Sequence, residues 1–559
     1  MDQEDPLVPV ITLTRERFSR FVGVELTLTE MIKWLPWLGF DMEETWEDSV
    51  KVEFNPNRID FSSYAGIARA FRGLRGYETG LPEYDLKDSR VVLNINESVS
   101  RVRPFMLAAI VRGISLDEDA VVDLMEMQED LHWGIGRNRE KASIGVHNLD
   151  VVRPPFTFKA VEPHSIRFVP LDMTKEMSPN DVLRKHEKGM AYRHLVEQSP
   201  RYPLLVDRDN EILSMPPIIN GELTRIAPDT KNLFLDVTGT EYIAVEKCLN
   251  VLSTALADMG GSIEKVRVEY PDRTVLSPDL SPQKMKLRTL AANKLLGLKL
   301  SDTKIAECLE KCRLGTKRLR KGIFEVAIPA YRTDILHEVD LIEEVAIGYG
   351  YYKLKPHLPS SATIGKQHPA YKIANTGRLI MTGLSFTEVV NFTITNEILH
   401  YEKMCRKAEV TVKLANPIST EFTIMRHDLL PGLMKNLAEN KHESFPQRFF
   451  EISDVIWHNP KLETRCERRM HIAAVSSHPT ANFTKIKSGV EAFAANMRLK
   501  SCRFEPTEHP TFIPGRAATI SAERKNVGIV GEIHPEVLNN FELENPVAAF
   551  EIDLETLIR

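Results

Sequence analysis

The stretch Tyr331-Arg332-Thr333-Asp334-Ile335-Leu336-His337-Glu338-Val339-Asp340-Leu341-Ile342-Glu343-Glu344 decides how the rest of the chain is read. Ile335, Val339, Ile342 and, one turn on, Ala346 recur at helical spacing and predict a buried helix face. Asp334 falls at the expected start of that helix. Asp340, Glu343 and Glu344 stand at i, i+3 and i+4, so they project from one face. Read as a helix surface, these carboxylates have no Lys or Arg within a turn to neutralise them. Exposed like charges at this spacing oppose one another by about 0.2–0.5 kcal/mol per pair, and by more when covered. Three readings stand: a solvated acidic face, a surface for a basic partner, or oxygen ligands for a hard divalent cation such as magnesium.

Outward from this motif, residues 270–352 predict two short helices, at 285–296 and 302–312, with Ser301 as a cap. A basic hairpin at 317–321 and a strand at 323–328 follow. Two helices and a hairpin make a winged-helix-like order. Residues 353–367, with Pro356 and Pro359, read as a linker. Beyond it, strands are predicted at 386–394, 448–456, 471–476, 517–521, 527–532 and 548–553. They are separated by single helices or turns, which favours a largely antiparallel sheet with helices packed on it.

On the N-terminal side, residues 1–85 read as a small mixed module. A strand at 8–13 leads into a helix from Arg15. Thr29 is the expected cap of a second helix carrying Met31, Ile32, Leu35 and Leu38. Ser62 or Ser63 opens a third, running to Gly76, whose Arg69, Arg72 and Arg75 form a solvated basic face or a contact surface. Residues 86–268 read as a larger α/β stretch. It has a strand at 91–95, a helix at 117–132, a strand at 232–240 and a helix at 241–259. The fold class is α+β and multidomain, with segments 1–85, 86–268, 270–352 and 365–559.

Composition narrows the function. The 559 residues carry 72 Lys+Arg against 78 Asp+Glu, a net −6, with 27% charged and 43% apolar residues. That is ordinary globular composition. It excludes a uniformly basic nucleic-acid coat but leaves a local RNA-binding surface open. The longest apolar runs are broken by charge, as Arg112 breaks 105–114, so no membrane helix is expected. The acidic opening at residues 1–6 does not read as a secretory signal. Six cysteines without a CxxC pair fit a reducing cytoplasm, and Cys308 and Cys312 read as a packed or surface thiol pair. No GxSxG, Walker or HExxH motif occurs. Gly134 and Gly136 lack the third glycine and the leading strand of a dinucleotide fingerprint. His132 and His147 read as structural hydrogen bonders.

Segments that carry more together than apart are Asn55-Pro56-Asn57-Arg58, Arg103-Pro104-Phe105, Gln128-Glu129-Asp130-Leu131-His132 and Ala142-Ser143-Ile144-Gly145-Val146-His147. Val237-Thr238-Gly239-Thr240, Leu429-Leu430-Pro431-Gly432-Leu433, Phe450-Glu451-Ile452-Ser453 and Gly531-Glu532-Ile533-His534-Pro535 continue the series. In this order, and through nearly the whole chain, they resemble the phenylalanine–tRNA ligase beta subunit family in its archaeal and eukaryotic-cytoplasmic form. The resemblance implies an alpha-two beta-two assembly in the cytoplasm, with tRNA(Phe) as partner. ATP and phenylalanine would be used on the alpha subunit. It implies an editing α/β domain, a winged-helix-like domain, and a class II synthetase-like antiparallel sheet domain without catalytic motifs.

It further implies that Asp334, Asp340, Glu343 and Glu344 bind magnesium at the contact with alpha, and that Leu205, Ser214, Asn220 and Asp236 line a pocket that hydrolyses mischarged tyrosyl-tRNA(Phe). No residue is expected to catalyse synthesis or bind a further cofactor. In Arg448-Phe449-Phe450-Glu451 the Arg stands one place too far from the acid, and a one-residue slip in a strand reverses a side chain's direction. The Gly-rich stretch ending in Arg is also missing. The family's Asp after the Gly-x-His segment is Asn148 here. Two other classes are a stand-alone editing protein and a structural interaction protein. An obligate partner on co-purification favours the ligase subunit.

Overall fold

The computed structural model describes residues 9–358, 361, 363–499, 502–522 and 525–558. The acidic opening at 1–6, the first residue of the strand expected at 8–13, and Arg559 lie outside the described residues. The chain divides into two compact units, Met1–His357 and Leu358–Arg559, a boundary inside the stretch read as a linker. It is a mixed α/β, multidomain molecule with several sheets.

The first unit opens with a three-stranded antiparallel sheet, Val10–Thr14 and Phe40–Thr45 flanking Ser49–Phe54. Helices Arg15–Val22 and Tyr64–Arg75 cover it through Phe18, Val22, Ile67 and Phe71. Thr27, not Thr29, caps the next helix, Leu28–Trp34. Its side chain accepts from Glu30 N, and Glu30 answers the Thr27 N–H, a reciprocal cap Thr29 has no partner to form. Arg69 is not on a solvated face. It is 2% exposed, bonded to Asp258 at 2.6 Å and stacked on Tyr331.

The largest sheet has ten strands. The wholly buried Leu233–Gly239 lies between Phe105–Arg112 and Ala142–Asn148, antiparallel to both. Leu86–Ile95 runs parallel to Ser262–Glu269 and to Phe156–Val161, so the sheet is mixed. Tyr202–Val206, Ile212–Met215 and Ile219–Asn220 extend one edge. Helix Tyr242–Asp258 buries Val245, Leu249, Leu252 and Leu256 against the sheet.

Beyond it, Gln283–Arg288, Ile323–Ile328 and Gly315–Arg320 form a small antiparallel sheet backed by helices Thr289–Leu296, Asp302–Lys311 and Glu338–Tyr349. The helix expected at 285–296 therefore begins only at Thr289. Before it, Met285 and Leu287 alternate with Lys284, Lys286 and Arg288, a period of two that one buried face turns into a strand.

In the second unit a seven-stranded sheet runs Thr387–Glu388, Gln447–His458, Cys466–Ser477, Val547–Asp553, Lys525–Ile533, Phe512–Ala522, Cys502–Pro506. Every pairing is antiparallel except that of the short edge strand Thr387–Glu388. Alternation serves two cores. Ile472 and Ala474 meet helices Pro369–Gly383 and Phe483–Asn496, while Ala473 and Val475 meet helix Leu430–Glu439. The strand expected at 386–394 is broken. Val390 and Phe392 are left 82% and 74% exposed, and Ile394–Thr395 pairs instead with Ile424–Met425.

Candidate functional site

Asp236 sits at the middle of the buried strand Leu233–Gly239, opposite Gly145 on one neighbour and Ala108 on the other. It is 1% exposed. His147, two residues along from Gly145 and on the same face, places Nε2 2.7 Å from Asp236 Oδ1, and Thr224 Oγ1 lies 2.8 Å from His147 Nδ1. With the carboxylate as acceptor, Nε2 carries the proton, so the imidazole's other nitrogen accepts from Thr224. Gly145 makes room for this pair. A Cβ there would stand 2.2 Å from Asp236 Oδ1 and 2.7 Å from His147 Nε2.

In front of Asp236 opens a cavity of about 790 Å³. Its walls include Ser214, Asn220, Thr224 and Asp236, with Gln128, Glu129 and Asp130 from helix Glu118–Trp133. Ser214 Oγ is buried and makes no hydrogen bond among the described residues. Asn220 Nδ2 donates to Val146 O at 3.4 Å. Three of the four residues expected in the pocket are thus brought together. Leu205 is not. It is fully buried in strand Tyr202–Val206, paired with Phe158, and packs in the main apolar core instead of reaching the cavity wall.

Beside the cavity runs an unusual loop that puts Arg139 on its wall. Arg137, Asn138 and Arg139 have φ of 49°, 51° and 69°, a run of left-handed residues that costs on the order of 1–3 kcal/mol each. Arg103 holds it, donating to Arg139 O at 3.0 Å and to Thr238 O and Oγ1 at 2.8 Å. Arg139 then reaches the Pro217 and Ile218 carbonyls and the Glu129 carboxylate. Burial opposes ionisation of Glu129, but the nearby His132 ring, the Arg139 guanidinium and a 2.8 Å bond from Lys188 hold its carboxyl well below the usual range. Its neighbour Asp130 has no such cation. Burial first, and then the charges of Glu126 and Glu129, push it up to about 7. His132, pulled down by burial to about 4, stays neutral and accepts the Ile144 N–H at 2.8 Å.

The acidic segment takes a different form from the bare helix face expected. The helix starts at Glu338, leaving Asp334 in the irregular stretch before it. Asp340 caps that start, accepting the Leu336 and His337 N–H groups at 2.7 Å. Arg332, upstream of the helix and therefore outside the helical spacing, is the neutralising cation. It is 2% exposed and bonds Asp334 and Glu344 at 2.6 Å each. Burial works against the Asp334 charge, but Arg332 and Arg58 hold its carboxyl down to about 2. Glu343 is pushed up by burial and by Glu344, Asp334 and Asp340. Val339, expected on the buried side, is 52% exposed, and Glu344 takes an interior position instead. The donor set is all carboxylate oxygen, and each group keeps free lone pairs after these contacts. Oxygen donors of this kind suit a hard divalent cation, but Arg332 takes both oxygens of Asp334 and of Glu344 and Asp340 caps the helix, so the four carboxylates would have to turn towards one another to hold one.

Sequence reasoning missed Asp130, Gly145, His147 and Thr224 as parts of one site. The available signal was Gly145 and His147 at a spacing of two on a strand, with Asp236 on its neighbour.

The chain thus joins a mixed sheet with a polar cavity, a strand-and-helix module with a carboxylate cluster and an antiparallel-sheet unit, and two of these parts match tRNA-synthetase modules. Residues 285–351 match the tRNA synthetase B5 domain, and residues 354–554 match the phenylalanyl tRNA synthetase beta chain CLM domain. The chain is 44% identical to the phenylalanine–tRNA ligase beta subunit of Methanothrix thermoacetophila, over 98% of this chain and 100% of that one. It is 44% identical to that of Archaeoglobus fulgidus, over 98% of each. An N-terminal fragment of the phenylalanyl-tRNA synthetase beta-subunit from Pyrococcus horikoshii superposes with a TM-score of 0.59 at 37% identity, covering 61% of this chain and 99% of the fragment. The chain belongs to the phenylalanine–tRNA ligase beta subunit family, in its archaeal form, and is a subunit of an aminoacyl-tRNA ligase. No helix among the described residues is long and apolar enough to cross a membrane.

Proposed function

We propose that the chain works in a cytoplasmic alpha-two beta-two tetramer. There the alpha partner attaches phenylalanine to tRNA(Phe) using ATP, and this chain hydrolyses tyrosyl-tRNA(Phe) in the cavity in front of Asp236. The observation that carries the hydrolytic reading is that cavity itself, with Ser214, Asn220 and the braced Asp236 on its walls. An apolar phenylalanine pocket rejects tyrosine poorly, because tyrosine adds only a hydroxyl. A second pocket that hydrogen-bonds the phenol corrects the error. Ser214 Oγ, otherwise unpartnered, and Asn220 supply such bonds. Water attacks the ester carbonyl as Asp130 takes its proton, and Asp130 hands that proton to the ribose oxygen, which leaves as the alcohol while the carboxylate product is released. A carboxyl held near neutrality suits that exchange.

Within this reading, 86–268 is the editing domain, 270–352 the winged-helix-like module, 1–85 an N-terminal module and 365–559 a class II-like scaffold that no longer synthesises. Glu451 supports the last point. It is buried against Arg426 at 2.8 Å and Asn391, so its carboxylate is used in packing. Asp334, Asp340, Glu343 and Glu344 would hold magnesium, which supplies positive charge between carboxylates at the contact with alpha. Hydrolysis of tyrosyl-tRNA(Phe) by the purified chain is expected to be lost in the double variant Asn220→Ala, Asp236→Ala. Undiminished hydrolysis would sink the assignment.

A further inference from the structure

We propose that His400, His427 and Asp428 form a site for a divalent transition metal of the zinc class, in the second unit and independent of the tRNA chemistry proposed above. His400 stands in a single π-type turn, Ile398–Glu402. His427 and Asp428 lie just before helix Leu430–Glu439. His400 Nε2 is 3.8 Å and His427 Nδ1 is 3.5 Å from Asp428 Oδ2, and all three donor atoms lie within 4.8 Å of one another. Ligands on a tetrahedral zinc ion with bonds of about 2.0–2.2 Å sit about 3.3–3.6 Å apart. The two histidine–carboxylate distances are therefore within about half an ångström of those on an ion, and the third pair closes by rotation of the imidazoles.

The orientation of the groups is right as well. His427 Nε2 lies 2.9 Å from the Tyr401 hydroxyl, which leaves Nδ1 facing Asp428. Ligating histidines are commonly set by such a bond through the other nitrogen. His400 Nε2 has only a long contact, 3.5 Å, from the His427 N–H. Both imidazoles are buried, so each loses little freedom on binding. Arg406 also bonds Asp428. Its Nη1 sits on Oδ2 itself, the oxygen nearest both histidines, so a metal shares that oxygen with Arg406 or displaces the guanidinium from it. Two imidazole nitrogens and one shared carboxylate select zinc, cobalt or nickel over magnesium. His400 and Asp428 also face a cavity of about 600 Å³, from which a water reaches the fourth position of an open site. The all-oxygen set around Glu343 has the opposite preference.

The test uses the tag-free full chain, stripped with a chelator and titrated with Co²⁺ alone while visible absorption is recorded. One equivalent is expected to give the intense bands of a four-coordinate ion, displaced by Zn²⁺. His400→Gln and His427→Gln each abolish them. Tyr401→Phe weakens binding by about 10- to 100-fold. Bands that survive His427→Gln, or that vanish instead in Glu343→Gln, overturn the proposal, as does a wild-type chain that gives no such bands. Should the histidine variants fail to fold by circular dichroism, the wild-type cobalt protein decides. Two imidazole N–H resonances shifted by the metal are expected, and their absence refutes the site.

Discussion

Gly145 shows how a missing side chain can hold a site together. Its absent Cβ leaves the space in which His147 braces Asp236. Gly145→Ala is expected to displace that carboxylate and slow tyrosyl-tRNA hydrolysis by about 100-fold, the effect of a misplacement of about 1 Å. Phenylalanine transfer by the assembled enzyme should change little. Single-turnover deacylation read beside aminoacylation checks it. Asp130 makes a second test. With its carboxyl raised to about 7, it is protonated below that pH and ionised above it. Hydrolysis should rise as pH passes through about 7, and Asp130→Asn should flatten the profile. A profile unchanged by the substitution would remove Asp130 as the base. At this scale Ser214, Asn220 and Asp236 were reached through the family resemblance, not through any spacing or charge pattern around them. Leu205, opposite Ser214 on the neighbouring strand, is packed in the main apolar core, and no local signal in the sequence separates a core leucine from a pocket one.

At the scale of elements, local signals read well where a cap or a period stands alone. Ser301 caps Asp302–Lys311, and Ser63 and Gly76 bracket Tyr64–Arg75, as expected. Reading failed where two periods compete, at 285–288, and where a partner lies outside the element, at the acidic helix. Arg332 is the decisive partner there. Arg332→Met should leave Asp334 and Glu344 buried without their cation and destabilise the first unit by about 3–5 kcal/mol, measured by denaturant unfolding. The acid limb gives the sign. Asp334 sits at about 2 in the folded chain against about 3.9 unfolded. Its stabilisation is present above about pH 4 and is lost as pH falls towards 2. Arg332→Met should remove that part of the acid sensitivity.

For the whole molecule, the assignment rests on modules acting together with another chain. Co-expression with an alpha partner is expected to give a stable complex and phenylalanine transfer to tRNA only in the mixture. Activity of either chain alone, or no complex at all, would overturn it. The three N-terminal segments read from the sequence as separate stretches lie in one compact unit. Arg69 is part of the reason. Rather than lying on a basic face, it joins helix Tyr64–Arg75 to Asp258 and Tyr331, far along the chain.

By itself the sequence determined the mixed α/β, multidomain class, the antiparallel character of the C-terminal sheet, the limits of helices such as Tyr64–Arg75, Glu118–Trp133 and Asp302–Lys311, and the family. These depend on caps, periods and ordered motifs, which act over a few residues or persist along the whole chain. Tertiary structure alone decided that Arg332 neutralises Asp334 and Glu344, that His147 and Thr224 brace Asp236, and that His400 meets His427 and Asp428. Each of these rests on burial, and burial brings together residues whose separation along the chain carries no signal of their distance in space.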